Sequence, residues 1–232
     1  MGFCFDNTRF KTYTYDMNFL NIKNISILGS LILAVGVGVY FVQQSNESKE
    51  QSAKAVLYEV QKTLDSETAK LTEAEKAPGA KYDVALKLPK TVAELNRVLA
   101  DGSLSKQVHF EAAIQLGNLY ADHQVDANKE ATLNAFNKAV EFAKTDFQKS
   151  TSRYLLGVTH EQQGQLKDAE EAFKKALSVG YEGMTGELML SLVRISIKNS
   201  NPAQAKTYAD QLNKDHPGTR AAQEAQKLIN KS

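Results

Sequence analysis

Residues 150–181 read Ser150-Thr-Ser-Arg-Tyr-Leu-Leu-Gly-Val-Thr-His-Glu-Gln-Gln-Gly-Gln-Leu-Lys-Asp-Ala-Glu-Glu-Ala-Phe-Lys-Lys-Ala-Leu-Ser-Val-Gly-Tyr181. Two apolar-periodic segments flank the pair Gly164-Gln165. Leu155, Leu156 and Val158 mark the first, and Ala169, Phe173, Ala176 and Leu177 the second. Recurrence every three or four residues is the helical period, so the stretch predicts two helices joined by a tight turn. Gly157, Ala169 and Ala176 are small where antiparallel helices must approach closely. Phe173 is large enough to fill the gap between this pair and the next. One such pair cannot bury its apolar face alone, so several are expected to stack in series.

The neighbouring sequence repeats the theme. Segment 110–144 carries Leu116-Gly117, Tyr120, Phe136 and Ala139, with about three extra residues assigned to its turn. Segment 186–217 keeps Met189, Leu192, Ala205 and Pro217 in register, but Val193 stands for the glycine and Ala209 for the phenylalanine. The spacing Leu-Gly, Ala, Phe, Ala matches the tetratricopeptide pattern. A short helix from Thr219 to Asn230 is expected to cap the array. No β-branched alternating run and no Asn-Gly hairpin turn occurs, so the body is all-α.

Upstream, Leu57, Val60, Leu64 and Leu71 mark a narrow apolar stripe, interrupted by Glu67. This predicts a helix from Glu47 to about Ala77, stopped by Ala77-Pro78-Gly79-Ala80. Residues 77–90 are then a connector, and Thr91-x-x-Glu94 a capping box opening a helix from Val92 to Ala100.

Ile25 to Val42 contains no charged residue. At about 1.5 Å per residue this run spans roughly 27 Å as a helix, close to a hydrocarbon core of about 30 Å. Tyr40 and Phe41 suit an interfacial aromatic belt, and Lys23 can snorkel. The run is longer than a secretory h-region and no small-x-small cleavage site follows it, which favours an uncleaved transmembrane anchor. Met17 is as good a start as Met1, because Met17-Asn-Phe-Leu-Asn-Ile-Lys is a normal leader to such a helix. Arg9, Lys11 and Lys23 before the run outnumber Lys49 and Lys54 after it, placing the N-terminus in the cytoplasm and the body in the periplasm. Ser26, Ser30, Ala34 and Gly38 recur every four residues and form a small-residue stripe suited to packing against another membrane helix. The domain reading is an arm (1–24), an anchor (25–42), a helical stem and connector (43–104) and a repeat domain (105–232).

The 28 basic and 27 acidic residues leave a net charge of +1, without the cationic excess that phosphate neutralisation needs, which argues against nucleic acid as a partner. The single cysteine, Cys4, excludes an internal disulfide framework and any multi-cysteine metal site.

An arm, one membrane span, the helical segment Ser52-Ala-Lys-Ala-Val-Leu-Tyr-Glu-Val60 and about three degenerate repeats together resemble the membrane-anchored tetratricopeptide proteins of the bacterial cell envelope. The layout is similar to that of the ancillary SecYEG translocon subunit family. That resemblance implies a single-pass inner-membrane protein: one N-terminal transmembrane helix, then a tetratricopeptide-like helical-hairpin solenoid with a C-terminal capping helix. It also implies an adaptor or chaperone-like role, with translocon subunits, secreted clients or periplasmic chaperones as partners. The tail His216-Pro217-Gly218-Thr219-x-Ala221-Ala222 is similar to repeat proteins of outer-membrane assembly and cell-division coordination, which is the alternative, together with the same scaffold facing the cytoplasm.

Catalytic chemistry finds no purchase in the sequence. His109, His123, His160 and His216 lack the close spacing that puts two ligands on one helix face. Neither a metal nor a cofactor is expected, and the chain is not read as an enzyme. In repeat proteins of this type the first helix of each pair lines a concave groove. That register assigns Glu111, Ile114, Asn118 and Ala121 to the groove from the first pair, Thr151, Tyr154, Val158 and Glu161 from the second, and Glu187, Leu190, Arg194 and Ile197 from the third. Asn118, Tyr154, Val158, Glu161 and Arg194 are the protein-binding candidates, since Tyr and Arg are over-represented among binding hot spots.

Overall fold

The computed structural model describes residues 55–77, 79–123 and 125–231, and every regular element among them is helical. The arm, the anchor with its stripe Ser26, Ser30, Ala34 and Gly38, and the first part of the stem lie outside the described residues. No helix among the described residues is long and apolar enough to cross a membrane.

The body is a series of antiparallel hairpins. Helices α1 (residues 55–68), α2 (Glu73–Lys76), α3 (Val84–Lys87) and α4 (Pro89–Ala100) come first. Three hairpins follow: α5 (Lys106–Asp122) with α6 (Asp126–Phe142), α7 (Asp146–Gln162) with α8 (Leu166–Leu177), and α9 (Glu182–Lys198) with α10 (Pro202–Asp215). Helix α11 (Arg220–Ile229) closes the array, with Thr219 as its N-cap.

The leading helices α5, α7 and α9 are each 17 residues long, and Gly117, Gly157 and Val193 occupy the same position in all three. Phe136 lies against Gly117, and Phe173 against Gly157. In the third hairpin the bulk is exchanged across the contact: Val193 and Ala209 are both buried there. A one-sided change would leave a hole or a clash, whereas the paired change conserves filled volume.

The turns of the first two hairpins are equally long, residues 123–125 and 163–165, so the three extra residues are not in the turn. They extend α6 at its N-terminus: α6 has 17 residues where α8 has 12. The added turn carries Asn128, which is 1% exposed. Its Oδ1 accepts from the Val84 N–H at 3.2 Å, and its Nδ2 donates to the Tyr82 carbonyl at 2.9 Å and to the carbonyl of His123. His123 stacks on Tyr82 at 3.8 Å and donates from Nδ1 to the Ala80 carbonyl at 2.7 Å. The extra turn therefore fastens segment 80–84 to the first hairpin.

Three expectations upstream of residue 105 are corrected. The stem helix ends at residue 68, before Pro78. Residues 77–90 are not all connector, because α3 forms within them and α4 begins at Pro89, which at N1 forfeits only a donor that is unpaired in any helix. Thr91 is inside α4 and does not cap it. The cap is Glu67: its carboxylate accepts from the Lys90 N–H at 2.9 Å, the Thr91 N–H at 2.8 Å and the Thr91 hydroxyl at 2.7 Å. Thr63 donates to Glu94 at 3.0 Å, so α1 and α4 run antiparallel and form a hairpin of their own, with residues 69–88 inserted between them. Val60, Leu95, Val98 and Leu99 share one apolar cluster with Val108, Ala112, Leu116 and Ala139, which joins this hairpin to α5 and α6.

Helix α9 contributes to two cores. Leu188, Leu192 and Ile195 meet Ala169, Phe173 and Ala176 on one side, while Met189, Leu190 and Val193 meet Ala205, Leu212, Ala222 and Ala225 on the other. Capping helix α11 thus closes a face that a further hairpin would otherwise have to cover.

Candidate functional site

Equivalent positions on α5, α7 and α9 bring the groove residues into rows. Asn118, Val158 and Arg194 share one helix position, as do Ala121, Glu161 and Ile197. Asn118 is exposed, Tyr154, Val158 and Arg194 are half-buried, and the Glu161 side chain is largely buried.

Bonds across the α7–α9 seam occupy most of these side chains. Thr151 Oγ1 donates to Met184 Sδ at 3.5 Å. The Tyr154 hydroxyl donates to Glu187 Oε1 at 3.3 Å, and its ring lies 5.8 Å from that of Phe173. Arg194 grips Glu161 with a fork: Nε to Oε1 at 2.7 Å and Nη2 to Oε2 at 2.9 Å. Lys198 Nζ adds a third contact to Glu161 Oε1 at 2.8 Å. In each case the partner lies about one repeat further along the chain, as expected for neighbouring units of a solenoid.

Electrostatics follow from this geometry. Burial pushes the Glu161 carboxyl up, but the hydrogen bonds and charges of Arg194 and Lys198 outweigh it and hold the group below its ordinary value. The same pairing raises Arg194. Tyr154 is raised by burial and then by the Glu187 carboxylate. With its carboxylate already satisfied, the lower end of the seam is a closed structural network more than an open binding surface.

Three groove assignments change. Leu190 is 5% exposed and belongs to the core beneath α10 and α11. Ile114 and Ile197 pack partly onto the first and last apolar clusters. Glu111 accepts from Gln107 Nε2 at 2.5 Å, and Gln107 accepts from Gln148 Nε2 at 2.5 Å, linking α5 to the start of α7.

The upper end of the seam was not anticipated. Phe147, at the second position of α7, is 51% exposed, and Tyr181, the N-cap of α9, is 36% exposed. Their rings meet edge to face at 5.5 Å. Phe147 precedes Thr151 and Tyr154 by four and seven positions, a same-face helical spacing that could have revealed it.

Among the described residues no three His, Cys, Asp or Glu side chains converge to hold a metal ion. His160, Asp168 and Glu171 line an open cleft between α6, α7 and α8, but the His160 Nδ1 is engaged by Gln165 Oε1 at 2.6 Å. The chain matches no protein-family model and no curated protein.

Proposed function

We propose that this protein is a membrane-anchored protein–protein interaction scaffold of tetratricopeptide type. It is held in the bacterial inner membrane by residues 25–42 and presents residues 105–232 to the periplasm. The observation that carries the reading is the interlocked packing of Gly117 with Phe136 and Gly157 with Phe173, repeated in successive hairpins. An array of this kind offers extended surface and no water-excluding pocket, which suits recognition of a peptide or protein segment. Tethering restricts that surface to the membrane plane and raises its effective concentration near membrane-embedded partners. An adaptor or chaperone-like position beside the Sec translocon fits both features, and no chemical step or cofactor is part of it.

Crosslinking in intact cells, with the partners identified, tests the proposal. Translocon subunits, secreted clients or periplasmic chaperones are the expected products, and capture of soluble cytoplasmic proteins alone would refute it. Topology is tested separately: an impermeant thiol reagent should leave Cys4 unlabelled in intact cells and should label a cysteine introduced in place of Lys231.

A further inference from the structure

Residues 80–83 belong to no helix, yet Tyr82 is 8% exposed and Val84 is fully buried, while Lys81 and Ala85 stand in solvent. Alternate burial is what an extended segment shows when one face lies on a surface. No strand lies beside it among the described residues. Its main chain is instead held by side chains at every second residue. His123 Nδ1 donates to the Ala80 carbonyl at 2.7 Å, Asn128 Nδ2 donates to the Tyr82 carbonyl at 2.9 Å, and Asn128 Oδ1 accepts from the Val84 N–H at 3.2 Å. The Tyr82 ring stacks on the His123 ring. A buried amide that donates and accepts at once grips a peptide main chain whatever its sequence, and pockets for alternate side chains add the selectivity.

Three features make this segment an occupant of the site more than a part of the hairpin under it. The second hairpin has an equally long turn and no added turn on α8, so a hairpin of this kind forms without Asn128. The base of the insertion is closed independently of its middle. Glu67 bonds to Lys90 and Thr91, and Thr63 to Glu94, so lifting residues 79–88 leaves α1 and α4 held together, with Gly79 in the left-handed region at φ 78° as a swivel. Long insertions whose ends are held together commonly serve as binding loops or lids. Lastly, Asn128 also lines an open cleft with Tyr120, Thr132, Thr159, Gln162 and Gln163, whose one cation, Lys129, is paired with Asp126 at 2.7 Å. Neutral amides and hydroxyls beside the segment offer an incoming main chain a foothold.

We propose that residues 79–88 are a self-bound strap in a peptide-binding site. Asn128 and His123 hold the main chain of an extended segment, the chain's own in this structure and that of another polypeptide when the strap lifts. An aromatic side chain seats on His123, and an aliphatic one two positions later fills the place of Val84. The site goes beyond the scaffold reading and uses no groove residue of α7 or α9.

The test uses the full-length chain in detergent and a synthetic peptide of residues 79–88. Tethered at both ends, the strap competes at an effective concentration on the order of millimolar. The peptide should therefore bind the parent poorly, and bind at least about tenfold more tightly to Tyr82→Ser with Val84→Ser, which weakens the strap and keeps Asn128 and His123. Adding Asn128→Ala should reverse that gain. A polar peptide unrelated in sequence, with Phe and Leu at the places of Tyr82 and Val84, should bind within about tenfold of the strap peptide, and its counterpart with two Ser should not. Equal binding to parent and weakened variant, no binding to the weakened variant, or binding indifferent to Asn128→Ala overturns the proposal. So does dimerisation of the parent that excess peptide disperses, which would assign the site to a second copy. Where the weakened variant has lost helicity, amide hydrogen exchange on the unsubstituted chain decides. The Val84 amide should exchange faster than the amides of α4 and α5, and protection equal to theirs overturns the proposal. The crosslinking that tests the scaffold reading does not depend on the strap, so either proposal can fail alone.

Discussion

The ring of Phe173 lies so close to Gly157 that a Cβ on that glycine would stand 2.5 Å from Phe173 Cε1. Phe173 is fully buried, so the ring has no free direction in which to retreat. Alanine at 157 gains about 1 kcal/mol of helix propensity but meets overpacking of about 1–3 kcal/mol, so Gly157→Ala is expected to destabilise the fold. The third hairpin suggests the remedy. Gly157→Val combined with Phe173→Ala copies Val193 and Ala209, and should be less destabilised than the sum of its single variants. Urea unfolding of the four species measures the coupling, and strict additivity would contradict the volume-exchange account.

The Glu161–Arg194 fork is expected to join the second and third hairpins. Arg194→Met removes the fork and leaves Glu161, only 8% exposed, with Lys198 alone, at an expected cost of about 1–3 kcal/mol. The pH dependence has a defined sign. Because the folded Glu161 is held below its ordinary value of 4.5, its contribution is complete above that pH and is lost as pH falls through the lower folded value. Glu161→Gln should therefore be less stable than the parent at neutral pH, with the difference shrinking in acid. A constant difference across that range would show that the carboxylate charge is not what matters.

How much of this was legible in the sequence differs between local and distant contacts. The hairpins over residues 106–215 follow from helical periodicity and from small residues facing large ones, both readable within some forty positions. Glu67 and Asn128 were opaque because their partners are far along the chain: Glu67 reads as a break in an apolar stripe until Thr91 is seen beside it, and Asn128 as an ordinary helix residue until Tyr82 and Val84 meet it. For the groove, sequence register places Tyr154, Glu161 and Arg194 on one seam but cannot show that they satisfy one another. Leu190 looked available because the register takes no account of α11, which covers it.

The long-range cap makes a testable claim about the stem. Helix α4 has no side-chain cap of its own, and Glu67 supplies three hydrogen bonds at its start. Glu67→Ala leaves those donors unpaired next to buried Thr91, with an expected loss of about 1–3 kcal/mol. The loss should be local. Amide hydrogen exchange should quicken in α1 and α4 while α7 to α10 keep their protection, because the hydrogen bonds of Glu67 run only to the start of α4. Uniform loss of protection along the chain would mean that the stem and repeats unfold as one cooperative unit.

Residue Ser200 gives a prediction of the opposite sign. It ends α9 as Gly164 ends α7, and the hydrogen bonds match: the Gln165 N–H donates to the His160 carbonyl at 2.9 Å, and the Asn201 N–H to the Ser196 carbonyl at 2.8 Å. Both turns require the left-handed backbone region, with φ of 76° at Gly164 and 56° at Ser200. Glycine enters that region without strain, whereas an L-residue with a Cβ is held there at a cost of about 1–2 kcal/mol. Part of the relief is offset by the greater freedom of glycine in the unfolded chain, so Ser200→Gly should stabilise the protein by up to about 1 kcal/mol. The midpoint of urea unfolding should rise with an unchanged slope. A fall in the midpoint would mean that the Ser200 side chain contributes more to the folded state than its backbone geometry takes away.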